Sequence, residues 1–289
     1  MPSNNHTAPG PSPMSKGERR AHERARGKGE QRVPYALVRA LLSPLRVWFR
    51  LRVRGVQNIP AQGAAIVAPN HKSFMDAFVI GLATRRHVRF MAKVEIFRGP
   101  LGWLLVRLGA FPVRRAHADA ESLETARVIL AGDGLVVMFP EGTRVDDPDA
   151  LGSPHHGAAR LALETGAPII PTAIVGTHHL WLGPIPKPRR VRVAFHEPVE
   201  VTDLADESDA LTELMDRRVW PAVQEEYGRL RAMPGLVVAA LTALGIGGLV
   251  ARHRRATAAG PRLLGIVEPR RLRRHQARRP LVERLRGKR

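Results

Sequence analysis

The stretch AAIVAPNHKSFMDAFVIGLA, residues 64–83, decides the fold. Ala64 to Ala68 is a short apolar run with no polar alternation, the pattern of a strand buried on both faces. Pro69 and Asn70 break it, and Ser73 to Ala83 then reads as a helix. A buried strand that feeds a helix through a short polar turn is the unit of an α/β sheet.

The same alternation continues outward. LRVRGV (51–56) alternates apolar and basic and reads as an edge strand. Strands are expected at Val88–Lys93, Ala110–Val113, Leu135–Phe139, Ile169–Val175 and Val191–Phe195. Helices are expected at Leu101–Leu108, Ala118–Ala131, Gly157–Glu164 (closed by Gly166) and Ser208–Leu230. The fold class is therefore α/β: one domain over residues 33–230, with a mixed sheet flanked by helices.

The flanks differ from this core. The formal net charge is +20, but residues 1–32 hold 7 Lys/Arg against 3 Asp/Glu and residues 252–289 hold 14 against 2. The basicity is in the ends, which suits an anionic membrane surface and on charge alone suits nucleic acid equally well. Residues 1–32 read as a disordered basic arm with no apolar signal-peptide core. VPYALVRALLSPLRVWF (33–49) is apolar and basic, interrupted by Pro44. It reads either as an amphipathic helix at a membrane interface or as a helix packed on the core. Residues 232–251 carry no charge, so 231–251 is expected to associate with membrane, as a hairpin or a span, ahead of the basic tail 252–289. The chain has no cysteine, which removes disulfides, cysteine-ligated zinc and thiol nucleophiles together.

Three sets of residues sit where strands end, the position at which open α/β sheets carry their sites. In APNHKSFMD (68–76), His71 lies just before a helix and Asp76 in its first turn. Asp76 fits a capping box with Ser73; it also fits a carboxylate that orients His71 as a general base. In FPEGTR (139–144), backbone N–H groups near Gly142, the Thr143 hydroxyl and the Arg144 guanidinium can converge on an anion, while Glu141 suits a neutral hydroxyl or orients Arg144. A β-turn with a surface ion pair is the plainer reading. In GAFPVRR (109–115), Arg114 can supply a second guanidinium, whereas Arg115 reads as a solvated strand end. The adjacent pairs His155–His156 and His178–His179 have no carboxylate spacing that suggests a metal, and none is expected.

Taken together, NHKSFMD, FPEGTR, GAFPVRR and IIPTAI (169–174) resemble the glycerophospholipid acyltransferase family, of the 1-acylglycerol-3-phosphate acyltransferase type. The resemblance covers about residues 34–200. It implies a catalytic His71–Asp76 pair and substrate binding by Arg114, Glu141, Gly142, Thr143 and Arg144. Pro171 marks the fourth motif, and Lys93 holds a place where the family often has a basic residue. It also implies a lysophospholipid acceptor, and acyl-CoA or acyl carrier protein as co-substrate rather than a cofactor; the basic flanks of 231–251 separately suggest the cytoplasmic face of the cell membrane. No specific nucleic-acid partner is implied. Val145 stands where the family often has Ser, and His155–His156 stand before Gly157 where it often has Lys; both bear on acceptor choice. A lipid-acting serine hydrolase is the first rival, although no G-x-S-x-G elbow is present. The second is a non-catalytic module that binds anionic lipid or nucleic acid.

Overall fold

A computed structural model describes residues 14–27, 32–114, 120–182, 185–204 and 209–232. Residues 233–251 of the expected apolar segment 231–251, the tail 252–289 and Arg115 lie outside these residues.

Seven strands form one mixed sheet: β1 (Arg52–Arg54), β2 (Ala65–Pro69), β3 (Val88–Lys93), β4 (Ala110–Val113), β5 (Leu135–Val137), β6 (Ile169–Val175) and β9 (Arg192–Phe195). Their spatial order is β1-β9-β6-β2-β5-β3-β4. β2 is central, parallel to β5 on one side (Ala65 opposite Leu135) and to β6 on the other (Ile66 opposite Ile169). β9 runs antiparallel to β6, which makes the sheet mixed. A separate two-stranded hairpin, β7 (Trp181–Leu182) and β8 (Ile185–Pro186), was not signalled by the sequence.

All five residues of β2 are buried because helices cover both faces. Side chains alternate between two cores, as a two-residue period requires. Ala65 and Val67 join a core with Tyr35, Phe49, Val79, Ile80 and Leu105. Ile66 and Ala68 join one with Ala126, Leu130, Leu161 and Met215. The first layer is built by α2 (Arg32–Leu42), α3 (Pro44–Trp48), α4 (Asp76–Ala83) and α5 (Gly99–Arg107). The second uses α1 (Lys16–Arg26), α6 (Ala120–Ala131), α7 (Gly157–Thr165) and α8, which opens at Ala210–Thr212, passes through a π-helical stretch at Glu213–Val219 and stays helical through 220–232.

Two expectations are corrected. Residues 16–26, placed in a disordered arm, form α1. Ser15 accepts from the Glu18 N–H while Glu18 accepts from the Ser15 N–H, a complete capping box, and Ala21, His22 and Ala25 are buried. The helix after β2 starts at Asp76 and not at Ser73. Residues 33–49 pack on the core through Tyr35 and Phe49, whereas Leu37, Leu41 and Val47 remain 70–80% exposed.

Gly55 follows the edge strand β1 with φ +67°, and a Cβ there would lie 1.9 Å from the Phe195 carbonyl oxygen. Gly55→Ala therefore combines left-handed strain with overpacking against β9. It should lower unfolding free energy by about 3 kcal/mol in urea denaturation.

Candidate active site

The site is built where β2 and β5 end. Asn70 leaves β2 and uses its amide as a staple to β6. Its Nδ2 donates to the Ile174 carbonyl at 3.1 Å, and its Oδ1 accepts from the Ile174 N–H at 2.7 Å. The next residue, His71, is thereby held over the strand ends.

Asp76 is fully buried. Its Oδ2 accepts from His71 Nδ1 at 2.9 Å and from the main-chain N–H groups of Lys72 and Ser73, both at 2.7 Å. Half of the expected capping box is thus present. Ser73 Oγ accepts from the Met75 N–H instead of closing the other half. A carboxylate on Nδ1 selects the tautomer with that nitrogen protonated and leaves the lone pair on Nε2. Among the described residues nothing bonds Nε2. The ring stacks on Phe139, with centroids 4.1 Å apart and planes at 27°. Its side chain keeps 10% exposure, so it is not sealed from solvent. The two largest described cavities, about 550 and 450 Å³, lie elsewhere, one beside α2 and one at the opposite end of the sheet around Gly63 and Gly134.

The turn after β5 closes on the same point. Glu141 Oε2 accepts from the His71 N–H at 2.6 Å and Oε1 from the Gly152 N–H at 2.9 Å. The Val145 N–H donates to the His71 carbonyl at 3.0 Å. Glu141 is thus turned inward, bracing His71, and does not orient Arg144. Gly142 takes φ +64° with the His155 ring beside it. Thr143 and Arg144 are exposed beyond the turn.

The structure brings His71, Asp76 and Glu141 together and sets Gly142, Thr143 and Arg144 beside them. Arg114 is placed further off. Its strand, β4, is three strand spacings from β2, or about 14 Å. Its guanidinium pairs with Glu18 of α1 at 2.7 Å. Lys93 is exposed and pairs with Glu95. Pro171 is buried in β6, opposite Ala68. His178 and His179 lie ring to ring, and among the described residues no group of three ligating side chains can hold a metal.

Sequence reasoning passed over Lys72, Phe139 and Tyr227. Lys72 and Phe139 lay inside the quoted motifs and carried no separate signal. Tyr227 is far along the chain and nothing local marks it.

Residues 50–175 match the protein-family model described as Acyltransferase. The match covers 126 of the chain's 289 residues. Similar proteins include the 1-acyl-sn-glycerol-3-phosphate acyltransferase LPAT1, chloroplastic, of Arabidopsis thaliana, 30% identical over 53% of this chain and 44% of that one. The 1-acyl-sn-glycerol-3-phosphate acyltransferase of Bacillus subtilis is 27% identical over 58% of this chain and 86% of its own. The chain thus spans less than half the length of the plant relative. The crystal structure of the 1-acyl-sn-glycerophosphate acyltransferase PlsC from Thermotoga maritima superposes with a TM-score of 0.57 at 25% identity, covering 73% of this chain and 87% of that one. The α/β architecture described above, with its seven-stranded mixed sheet flanked by helices, is shared with that structure.

Burial raises the Glu141 carboxyl above its ordinary value, opposed by the N–H bonds from Gly152 and His71. The folded protein then keeps a proton that the unfolded chain has released. The stability this contributes is full below the unfolded value and is lost as pH rises through the folded one. In Glu141→Gln that dependence is gone. The stability deficit of the variant against the parent should be largest below pH 4.5 and shrink as pH rises toward 7, as read by urea titrations across pH.

Proposed function

We propose that the chain transfers a fatty acyl group from acyl-CoA or acyl carrier protein to the free hydroxyl of 1-acyl-sn-glycerol-3-phosphate, giving phosphatidic acid. The observation that carries this is the His71 imidazole held by a buried Asp76 carboxylate at 2.9 Å, with Nε2 unbonded among the described residues. The family match and the printed activities of the Arabidopsis, Bacillus and Thermotoga relatives support the substrate class.

His71 Nε2 takes the proton of the acceptor hydroxyl as its oxygen bonds to the thioester carbonyl carbon. The tetrahedral centre then collapses, the C–S bond breaks and the thiolate leaves, so no acyl-enzyme is formed. Asp76 stabilises the imidazolium that arises in between. Arg144, exposed beside the turn, binds the acceptor phosphate, and Arg114 is the second guanidinium in this reading, although it lies three strands away and is paired with Glu18. A different lysophospholipid, or glycerol 3-phosphate, is the second reading.

The reading includes an anionic membrane surface as partner, on the cytoplasmic face of the cell membrane. Leu37, Leu41, Val47 and Trp48 on α2 and α3, and Leu101 and Trp103 on α5, are exposed. Arg39, Arg46, Arg98 and Arg107 lie among them in sequence. Apolar contact with basic flanks suits such a surface. No described helix is long and apolar enough to cross a membrane.

Purified protein given acyl-CoA and a panel of lysolipids should form diacyl products detectable by mass spectrometry. His71→Ala should lower kcat by about 10²–10⁴-fold. Arg144→Ala should raise the KM of the phosphorylated acceptor by about tenfold or more with little change in kcat. A folded His71→Ala protein with the parental rate would refute the assigned base.

A further inference from the structure

The loop VDDPDALG, residues 145–152, follows the FPEGTR turn. The side chains of residues 146–150 are exposed, and Leu151 alone packs against a small cluster with Tyr227 and Leu230. So little apolar burial cannot hold a loop in one conformation against its chain entropy.

Polar ties hold it instead. Four consecutive carbonyls, those of Asp147, Pro148, Asp149 and Ala150, all accept from side chains. Lys72 Nζ donates to Asp147 O at 2.7 Å and also to Ala150 O. The Tyr227 hydroxyl donates to Pro148 O at 2.7 Å. Arg231 donates to Asp149 O at 3.2 Å and pairs with the Asp149 carboxylate. The donors also support one another: the Lys72 ammonium lies 5.6 Å from the centroid of the Tyr227 ring and the Arg231 guanidinium 5.8 Å. Lys72 and Tyr227 are buried and Arg231 is exposed, so the first two carry more of the hold.

The inner side of this loop grips His71. Val145 N–H binds the His71 carbonyl, and Gly152 N–H binds the Glu141 carboxylate that accepts from the His71 N–H. Both main-chain polar groups of His71 therefore depend on where the loop sits. Asp76 fixes the imidazole, but the backbone that carries it is fixed from the loop.

We propose that Lys72 and Tyr227, with Arg231, are positioning residues for acyl transfer: they clamp residues 147–150 so that the loop sets the main chain of His71. This rests on His71 being the base. It makes the 227–231 turn of α8 part of the reaction geometry, although it touches neither substrate nor the imidazole.

Two variants test it in the full-length protein. Tyr227→Phe removes one hydroxyl and keeps the ring, and Lys72→Met removes the two-carbonyl donor at similar volume. Each is read by hydrogen exchange over residues 141–152 and by steady-state kinetics with acyl-CoA and lysophosphatidic acid, after circular dichroism confirms folding. Exchange over 141–152 should rise about tenfold or more. The kcat should fall about tenfold in Tyr227→Phe, and further in Lys72→Met, with acceptor KM unchanged. Unchanged exchange overturns the clamp. Faster exchange with parental kcat, or a loss confined to KM, overturns the positioning role. If the parent protein forms no diacyl product from any acceptor, the reading of His71 as base fails and the role falls with it, a failure seen in the parent and not in the variants.

Discussion

The arrangement depends on one buried oxygen. Asp76 Oδ2 gathers three N–H donors into a single point, one from an imidazole and two from successive peptides. Burying a carboxylate costs several kcal/mol unless donors replace its water. Here the replacement is local, supplied by the turn that the carboxylate itself shapes, and the residue opens α4, where the helix dipole favours negative charge. The turn and the charge are mutually required. Without the carboxylate, two peptide N–H groups in a buried turn lose their acceptor; without the turn, the carboxylate is stranded.

That mutual requirement explains why the neighbouring bonds can be so specific. Once residues 71–73 are fixed, Asn70 can staple β6, and Glu141 and Val145 can take the two polar groups of the His71 main chain. The site is therefore a junction of three strand ends, β2, β5 and β6, and not the property of one motif. Asp76 Oδ1 is buried with no hydrogen-bond partner among the described residues. All of the carboxylate's bonding is thus directed from Oδ2 into the turn. A proton gained at Nε2 would place positive charge against that oxygen, in surroundings that screen it poorly.

The parts legible in the sequence were those written locally. The apolar run at β2, the stop at Pro69 and the return of helical spacing after Ser73 gave the strand, the turn and α4, with the helix start off by a few residues because the carboxylate binds N–H groups before the helix begins. His71 and Asp76 were legible as a pair because only four residues lie between them. Helix α1 was missed although its signal was present: Ser15-x-x-Glu18 is a capping box, and charged side chains on its outer face disguised a small buried face of Ala21, His22 and Ala25. Glu141 was identified as a site residue, but its partners, the N–H groups of His71 and Gly152, belong to different loops and cannot be read from FPEGTR. The clamp was illegible altogether. Its donors come from residues 72, 227 and 231, and its acceptors are main-chain carbonyls, which have no residue type to announce them.

The two layers of the fold divide the work. The layer made by α2, α3, α4 and α5 carries both the exposed apolar side chains, from Leu37 to Trp103, and the helix whose first residue is Asp76. The opposite layer carries α1, whose Glu18 engages Arg114, and α8, whose Tyr227 and Arg231 hold the loop. The imidazole is therefore fixed from the first layer, through Asp76, while the loop that binds its main chain is anchored in the second.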